Sequence, residues 1–407
     1  MRDLVTRGLE LLLRHQAPGG AFPAAPDFPP YRYCWLRDGS FIAHALDLWG
    51  YPDAAAAFHA WAASAILRHA DKVQRAFAAL AAGRQPHYDD FLHTRYTLDG
   101  HEGREPWGNF QLDGYGAWLW SLGAHAAAGR PLEAAVARAA ALTAAYLAAF
   151  WDRRCFDPWE EFPDHRHTST LAAVYGGLEA ARRMPGVAGA AAAVSLEATS
   201  AAVRRFVLDR GVVDGALTKW LSDAPVAAAR AGAVPHPAPA RCPVPDSSLL
   251  WVAVPFGLLP ADDPIVEATV ALIERDLRGG CAAAAAPLGA TGDGAVSSAP
   301  AGGAPAGGVR RYAADRFYGG GEWVVLAAWL GWYFCARGHP GRARPLLDWV
   351  EAQYDARGLP EQVPGPRTNR AAYDAWLCRW GPVARPLLWS HAMHLILAHC
   401  LEPSPAV

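Results

Sequence analysis

The sequence contains very little lysine: of its 37 basic residues, only Lys72 and Lys219 are lysines, and the rest are arginines. The 39 acidic residues nearly balance the basic ones and give a formal net charge of -2. No polybasic run interrupts this balance, and proteins that bind nucleic acid through its phosphates need a concentrated positive surface. The charge pattern therefore argues against a nucleic-acid-binding protein.

Long hydrophobic runs are also missing. No segment of about 18 uninterrupted apolar residues occurs, so we expect no membrane span. The N-terminal region has one short apolar stretch, at residues 11–13, between Glu10 and Arg14. This pattern predicts an amphipathic helix rather than a signal peptide.

Cysteine is sparse and dispersed. None of the seven cysteines forms a C-x-x-C pair, so the pattern predicts neither a cysteine zinc site nor a disulfide framework. Buried free thiols are typical of cytoplasmic proteins. Together with the missing signal peptide, they lead us to expect a cytoplasmic location.

The dominant pattern in the sequence is helical. Apolar residues make up 52% of the chain and charged residues 19%, which excludes an intrinsically disordered protein. Apolar positions recur at spacings of three and four in about a dozen segments, whereas strand-like alternation is almost absent. The predicted helices span residues 3–15, 41–48, 54–80, 114–128, 132–150, 169–182, 190–207, 248–258, 264–277, 322–336, 340–354 and 390–401.

A dozen helices joined by alternating short and long connections favour an all-α toroid, an (α/α)6 barrel of six helical hairpins. An open solenoid is the alternative, but the fixed-period repeats typical of solenoids are missing. No composition break divides the chain, so we expect one catalytic domain over residues 1–407. Low-complexity segments near 224–240 and 279–308 are predicted to be surface insertions, and shortening the second should be tolerated.

Aromatic residues accompany charged residues in the long connections. The chain has 17 tryptophans, and Trp35, Trp107, Trp159 and Trp323 all stand near a carboxylate or a guanidinium in the sequence. Sugars need this mixture, because their C–H faces stack on indole while their hydroxyls bind charged groups. The alternative is that each tryptophan only packs in the core.

Hydrolysis of a glycoside requires two carboxyl groups, one as general acid and one as base or nucleophile. The segment 157–163, DPWEEFP, carries Glu160 and Glu161 and is too rich in proline for a helix interior. Glu361 follows a predicted helix in the segment GLPEQV. Without further evidence, such acidic residues are more often part of a solvated surface.

Five ordered motifs resemble glycoside hydrolase family 15, the glucoamylase-like enzymes. The resemblance runs from about residue 3 to residue 400, and five ordered matches are very improbable by chance. It implies an α/α toroid and an inverting exo-glucosidase. The motifs are YRYCWLRD at 31–38, WGNFQLDG at 107–114, DPWEE at 157–161, RYAADRFYGGGEW at 311–323, and LPEQV at 359–363 followed by LWSHA at 388–392.

The resemblance assigns roles to individual residues. Glu160 matches the general acid of the family, Glu361 matches the general base, and Tyr31 matches a tyrosine that holds the nucleophilic water. The other matching positions line or surround the sugar site or tune the acid. Arg37 and Asp38 grip hydroxyls of the terminal glucose, Trp35, Trp107 and Trp389 line its site, Glu161, Arg311 and Asp315 surround it on the leaving-group side, and Asp157 tunes the acid.

Two of these positions carry further expectations. Asp38 could also be the N-cap of a helix beginning near Ser40. Glu160 must be protonated in the reaction, and we expect an apolar environment or the negative charges of Glu161 and Asp157 to favour that form. We expect neither a metal nor another cofactor to be needed.

The sequence therefore predicts an enzyme that removes β-glucose from the non-reducing ends of short α-gluco-oligosaccharides, with α-1,6 slightly favoured over α-1,4 linkages and trehalose as third choice. We expect a monomer or simple homo-oligomer without the β-sandwich or starch-binding domains of many family members. The connection between Glu361 and Trp389 is longer and richer in arginine than the family pattern. The alternatives from other classes are a non-catalytic sugar-binding toroid and a toroidal phosphorylase.

Overall fold

The computed structural model describes residues 2–184, 186–190, 195–225, 245–279 and 307–402. Most of the two predicted insertions, 224–240 and 279–308, lies outside the described residues. The described helices are α1 (Arg2–His15), α2 (Leu36–Leu48), α3 (Pro52–Arg68), α4 (Ala70–Ala81), α5 (Asp113–Ala127), α6 (Ala134–Phe150), α7 (Thr168–Arg183), α8 (Val187–Ala190), α9 (Leu196–Gly211), α10 (Pro264–Leu277), α11 (Val324–Ala336), α12 (Pro340–Glu351), α13 (Arg370–Trp380) and α14 (Leu388–Cys400).

Six elements of the described chain form a closed inner ring. Helix α2 packs against α5, α5 against α7, and α7 against a 3-10 helix at Ser247–Val252. That 3-10 helix contacts α11, α11 contacts α14, and α14 returns to α2. Helices α1, α3, α6, α9, α10 and α12 alternate with these elements along the chain and pack outside them. The predicted (α/α)6 toroid is confirmed.

The two layers differ in how apolar residues are distributed around each helix. In α11 every residue from Val324 to Gly331 is buried, as expected for a helix enclosed on all sides. Helix α1 instead buries a single stripe, Val5, Gly8, Leu9 and Leu12. The spacing of apolar residues thus determines which helices enter the inner ring.

Large aromatic side chains fill the centre of the ring. Trp251 and Trp329 are fully buried, and their ring centroids are 5.1 Å apart. Trp389 lies 5.2 Å from Trp329, and Phe41 lies 5.6 Å from Trp389. This aromatic hub, Phe41, Trp251, Trp329 and Trp389, joins four of the six inner elements directly beneath the loops that carry the candidate site.

Two predicted helices differ from the structure, and one helix of the structure was not predicted. The predicted helix 54–80 is two helices, α3 and α4, with the break at His69. The sequence did not predict this break because the apolar period continues across it and no glycine or proline marks it. The segment 248–258 is the short 3-10 helix, which Asp246 caps by accepting the Ser248 N–H at 2.8 Å. Pro255 lacks an amide hydrogen and cannot extend it. Helix α13 was not predicted.

Short antiparallel strand pairs hold the loops at one end of the barrel. Strand β1 (Cys34–Trp35) precedes α2 and pairs with β2 (Arg95–Tyr96). A second pair, β3 (Val212–Val213) and β4 (Ala216–Leu217), follows α9. Strand β5 (Glu322–Trp323) precedes α11 and pairs with β6 (Gln362–Val363), which directly follows Glu361. The first and third pairs bring candidate site residues to the N-terminal ends of the inner helices. In the described part of the chain, none of the helices has the length and apolar character of a membrane span.

Candidate active site

A cavity of about 270 Å³ opens at this end of the barrel, and most predicted site residues meet there. Two predicted residues, Asp157 and Asp315, lie behind its wall. The predicted residues that line the cavity are Tyr31, Trp35, Arg37, Asp38, Trp107, Glu160, Glu161, Arg311, Glu361 and Trp389. Sequence positions more than 300 residues apart are thus brought into one aromatic-walled space.

Glu160 projects from a tight turn. The Glu160 N–H donates to the Asp157 carbonyl at 2.9 Å, and the Asp157 N–H donates to the Glu161 carbonyl at 3.0 Å. Glu160 has a φ of +64°, a left-handed conformation that costs a non-glycine residue about 1–3 kcal/mol. The Asp157 carboxylate offsets this cost by accepting the N–H groups of Trp159 at 3.0 Å and Glu161 at 2.8 Å. Asp157 therefore fixes the turn that presents Glu160.

Two indoles hold the Glu160 carboxyl group. The Trp35 indole N–H donates to Oε1, and the Trp107 indole N–H donates to Oε2 at 2.7 Å. Burial raises the pKa of Glu160, while the Arg37 guanidinium and the indole hydrogen bonds oppose that rise. The protonated form that an acid catalyst needs is thus favoured by loss of solvent.

The negative charges expected to act on Glu160 are instead paired with cations. Asp157 Oδ2 lies 3.0 Å from Lys219 Nζ, and Lys219 Nζ also lies 2.7 Å from Asp246 Oδ2. Glu161 lies 3.4 Å from the Arg311 guanidinium and accepts a hydrogen bond from the Tyr312 hydroxyl at 2.6 Å. Lys219 was not among the predicted site residues, although it is one of only two lysines in the chain.

Glu361 belongs to the last of the five motifs. Its carboxyl group is buried, and the residue is 4% exposed. Its N–H donates to the Ala384 carbonyl at 3.0 Å, which fixes the backbone. Burial raises the pKa of Glu361 to about 8, and the Arg311 charge and a Tyr31 hydrogen bond oppose the rise. Among the described residues, no donor bonds to its buried Oε2. This oxygen is therefore available to accept a proton from a water molecule or a substrate hydroxyl.

Arg37 and Asp38 form a buried pair at the start of α2. Arg37 Nε lies 3.1 Å from Asp38 Oδ1, and its guanidinium lies 5.0 Å from the ring centroid of Trp389. Burial raises the pKa of Asp38 to about 6. The expectation that Asp38 is an N-cap is wrong: α2 begins at Leu36, so Asp38 lies inside its first turn, where a carboxylate is favoured by the helix dipole.

Arg311 is held by a two-pronged interaction with Asp315. The Nη2 to Oδ1 distance is 2.5 Å and the Nε to Oδ2 distance is 2.8 Å, the bidentate geometry that fixes a guanidinium plane. Asp315 Oδ1 also accepts the Phe317 N–H at 2.9 Å. Asp315 thus orients Arg311 from behind the cavity, and Arg311 in turn faces Glu161.

The structure adds aromatic residues that had no assigned role in the sequence. Trp376 and Trp380 of α13 line the cavity together with Phe317 and Tyr318. Phe317 and Trp376 pack with ring centroids 4.8 Å apart. Two features of the sequence could have indicated helix α13. Trp376 and Trp380 are spaced by four, and Asn369 is a capping residue whose side chain accepts the Ala372 N–H at 2.9 Å.

The sequence model of the family described as "Glycosyl hydrolases family 15" matches residues 1–356, ending just before Glu361. The isomaltose glucohydrolase of Kribbella flavida is 40% identical over 401 residues, covering 98% of this chain and 92% of that protein. A solved glycosidase variant in complex with glucose is also 40% identical, with a TM-score of 0.83 over 98% of this chain and 96% of that one.

A bacterial glucoamylase complexed with acarbose has the same fold at 15% identity, with a TM-score of 0.70 over 98% of this chain and 55% of that chain. The family model covers most of the sequence, and the 40% identical relative extends through Glu361 to nearly the whole chain. The chain is therefore a glycoside hydrolase and belongs to glycosyl hydrolase family 15.

Proposed function

We propose that the chain is an inverting, exo-acting α-glucosidase that releases β-glucose from the non-reducing ends of short α-gluco-oligosaccharides. The observation that carries this proposal is the pairing of Glu160 and Glu361 in one aromatic-walled cavity, with unlike surroundings. Glu160 is held by two indole N–H groups, whereas Glu361 has a buried oxygen that no described donor bonds. One acid and one base in one sugar-sized site is the requirement for glycoside hydrolysis.

In the proposed reaction, Glu160 gives its proton to the glycosidic oxygen while Glu361 accepts a proton from the attacking water. Tyr31, whose own pKa is raised by burial and by the charges of Glu361 and Glu160, hydrogen-bonds Glu361 and helps to hold that water. Inversion requires space for the water, so we expect the two carboxyl groups to stand about 6.5–9.5 Å apart. Arg37 and Asp38 bind the terminal glucose.

The α-1,6 linkage is our first choice of substrate. The support is the 40% identity to a protein named isomaltose glucohydrolase. Helix α13 places Trp376 and Trp380 in the cavity wall, and a small, aromatic-lined space favours a short substrate. Maltose-type α-1,4 glucosides are the second choice and trehalose the third.

We propose one catalytic domain over residues 1–407, as a monomer or simple homo-oligomer in the cytoplasm. The support for this compartment is the presence of free, buried thiols such as Cys34 and Cys155.

The decisive experiment incubates the enzyme with isomaltose, maltose, trehalose and longer homologues, and follows glucose release and the first-formed anomer by proton NMR. We expect the β-anomer within the first minutes, before mutarotation, and the fastest release from isomaltose. Early α-anomer would contradict the role of Glu361 as base. Binding without glucose release would favour the sugar-binding toroid, and turnover only with added phosphate would favour a phosphorylase.

A further inference from the structure

Two histidines and an aspartate form a cluster at the end of the barrel away from the cavity. Asp47 lies in the last turn of α2, His125 in the last turn of α5, and His59 in α3, which packs against both helices. Asp47 follows Asp38 of the cavity wall by nine positions in α2, about 14 Å along the helix axis. The cluster is therefore distinct from the candidate active site.

The three side chains are close enough to share one ion. One potential ligand atom from each lies within 4.8 Å of the other two. His125 Nδ1 is 2.8 Å from Asp47 Oδ2, and the ring centroids of His59 and His125 are 5.1 Å apart. Ligands bound at about 2.0–2.1 Å in a tetrahedral site stand about 3.4 Å apart, so side-chain rotations that move each atom by less than about 1 Å suffice.

His59 points independently to a ligand. Its side chain is 2% exposed, and neither ring nitrogen has a hydrogen-bond partner among the described residues. Buried polar groups nearly always have a partner, so a buried imidazole with two unpartnered nitrogens needs an explanation. A neutral imidazole binds a metal ion through such an unpartnered ring nitrogen.

We propose that Asp47, His59 and His125 bind one zinc ion. Two imidazoles and a carboxylate are zinc ligands, whereas magnesium and calcium prefer all-oxygen sites. Coordination through Nδ1 requires His125 to carry its ring proton on Nε2, and a water molecule completes the tetrahedron. The ion links the C-terminal ends of α2 and α5 to the outer helix α3, and so stabilises the base of the barrel without taking part in glycoside hydrolysis.

The test titrates zinc sulfate at pH 7 into protein that has been stripped with a chelator, by calorimetry and by thermal unfolding. We expect one zinc ion per chain and a rise in Tm, with no rise in magnesium chloride. His59→Gln and Asp47→Asn should lose the stoichiometric binding and the Tm rise. The second variant keeps the shape of its side chain, so the test survives if the first fails to fold.

His44→Gln is the matched control, because His44 lies in α2 one turn before Asp47 and packs on Trp120 with ring centroids 4.7 Å apart. It should bind zinc as the wild type does. The proposal is overturned if the wild type binds no stoichiometric zinc, if both ligand variants bind it equally well, or if His44→Gln abolishes binding. Loss of glucosidase turnover on chelation would contradict the purely structural role.

Discussion

Replacing Glu361 by glutamine keeps the shape of the side chain and removes its ability to accept a proton. General-base removal lowers turnover by about 100- to 10,000-fold. The free energy of unfolding should stay the same or increase, because burial already raises the pKa of this carboxyl group to about 8 and disfavours its charge. The measurements are kcat on isomaltose and Tm. Glu133→Gln, on an exposed residue, is the control, and more than about a tenth of wild-type turnover in Glu361→Gln would exclude the base assignment.

The pH dependence of kcat/KM follows from the two shifted carboxyl groups. The active form has Glu361 ionised and Glu160 protonated. Burial raises the pKa of Glu361 to about 8 and also raises that of Glu160. Activity must therefore rise with pH as the base ionises, and fall once the acid loses its proton, which moves the optimum upward from the ordinary glutamate range near about 4.3. A bell-shaped profile with an optimum below about pH 5 would contradict this prediction.

Lys219 is a positioning residue for the turn that carries Glu160. Its ammonium group is buried, 4% exposed, between Asp157 and Asp246. Lys219→Met leaves two buried carboxylates without their cation, which should cost about 3–5 kcal/mol. We also expect a lower kcat with little change in KM, because Asp157 holds the turn through the Trp159 and Glu161 amides.

The only other lysine provides the control for this variant. Lys72 lies 2.7 Å from Glu102, whose side chain is 27% exposed and keeps contact with water. Lys72→Met should therefore cost less, and kcat should not change. Urea unfolding and steady-state kinetics of both variants give the comparison. Equal losses of stability and unchanged kcat in both would remove Lys219 from the proposed role.

Helix α13 contributes two tryptophans, Trp376 and Trp380, to the cavity wall. It buries none of its residues, and it is attached through Trp376 to the ring of Phe317 and through the Asn369 N–H to the Gly319 carbonyl at 2.8 Å. Trp380 lines the cavity although it is 40% exposed. Trp380→Ala should raise KM a few-fold with kcat nearly unchanged, since one aromatic contact of about 0.5–1.5 kcal/mol is lost from bound substrate.

Leu377 supplies a matched control on the same helix. It is 38% exposed and is not part of the cavity wall. Leu377→Ala should therefore leave KM for isomaltose unchanged. Identical kinetics in Leu377→Ala and Trp380→Ala would show that α13 does not contact substrate.

The elements also show what the sequence could and could not predict. The segment 324–334 is apolar on all sides, as expected for a helix enclosed in the inner ring. The sequence predicted this helix together with the toroid. Helix α13 has no buried face, so it lacks the continuous apolar stripe from which periodicity predicts a helix. The motif residues were predicted to meet, and ten of them line one cavity. Lys219 was missed because its partners, Asp157 and Asp246, come together only through the tertiary fold.

The aromatic hub connects the stability of the barrel to the candidate active site. Trp329 is fully buried and contacts Phe41, Trp251 and Trp389, and Trp389 also lines the cavity. Trp329→Ala should cost about 3–5 kcal/mol and lower activity as well, because a cavity beneath Trp389 allows it to shift. Trp332→Ala, at a partly exposed position of the same helix, should cost less. Equal urea-unfolding midpoints would contradict the importance of the hub.

The closed ring has a consequence for how the protein is made. Helix α2 lies beside α14, but 352 residues separate the first residue of one helix from the first residue of the other, Leu36 and Leu388. At about 5–20 residues per second, a ribosome needs roughly 20–70 s to translate that interval. During this time the emerging α2 has no α14 to cover its apolar side. The nascent chain therefore carries an open seam beside α2 until the last inner helix is released and closes the ring.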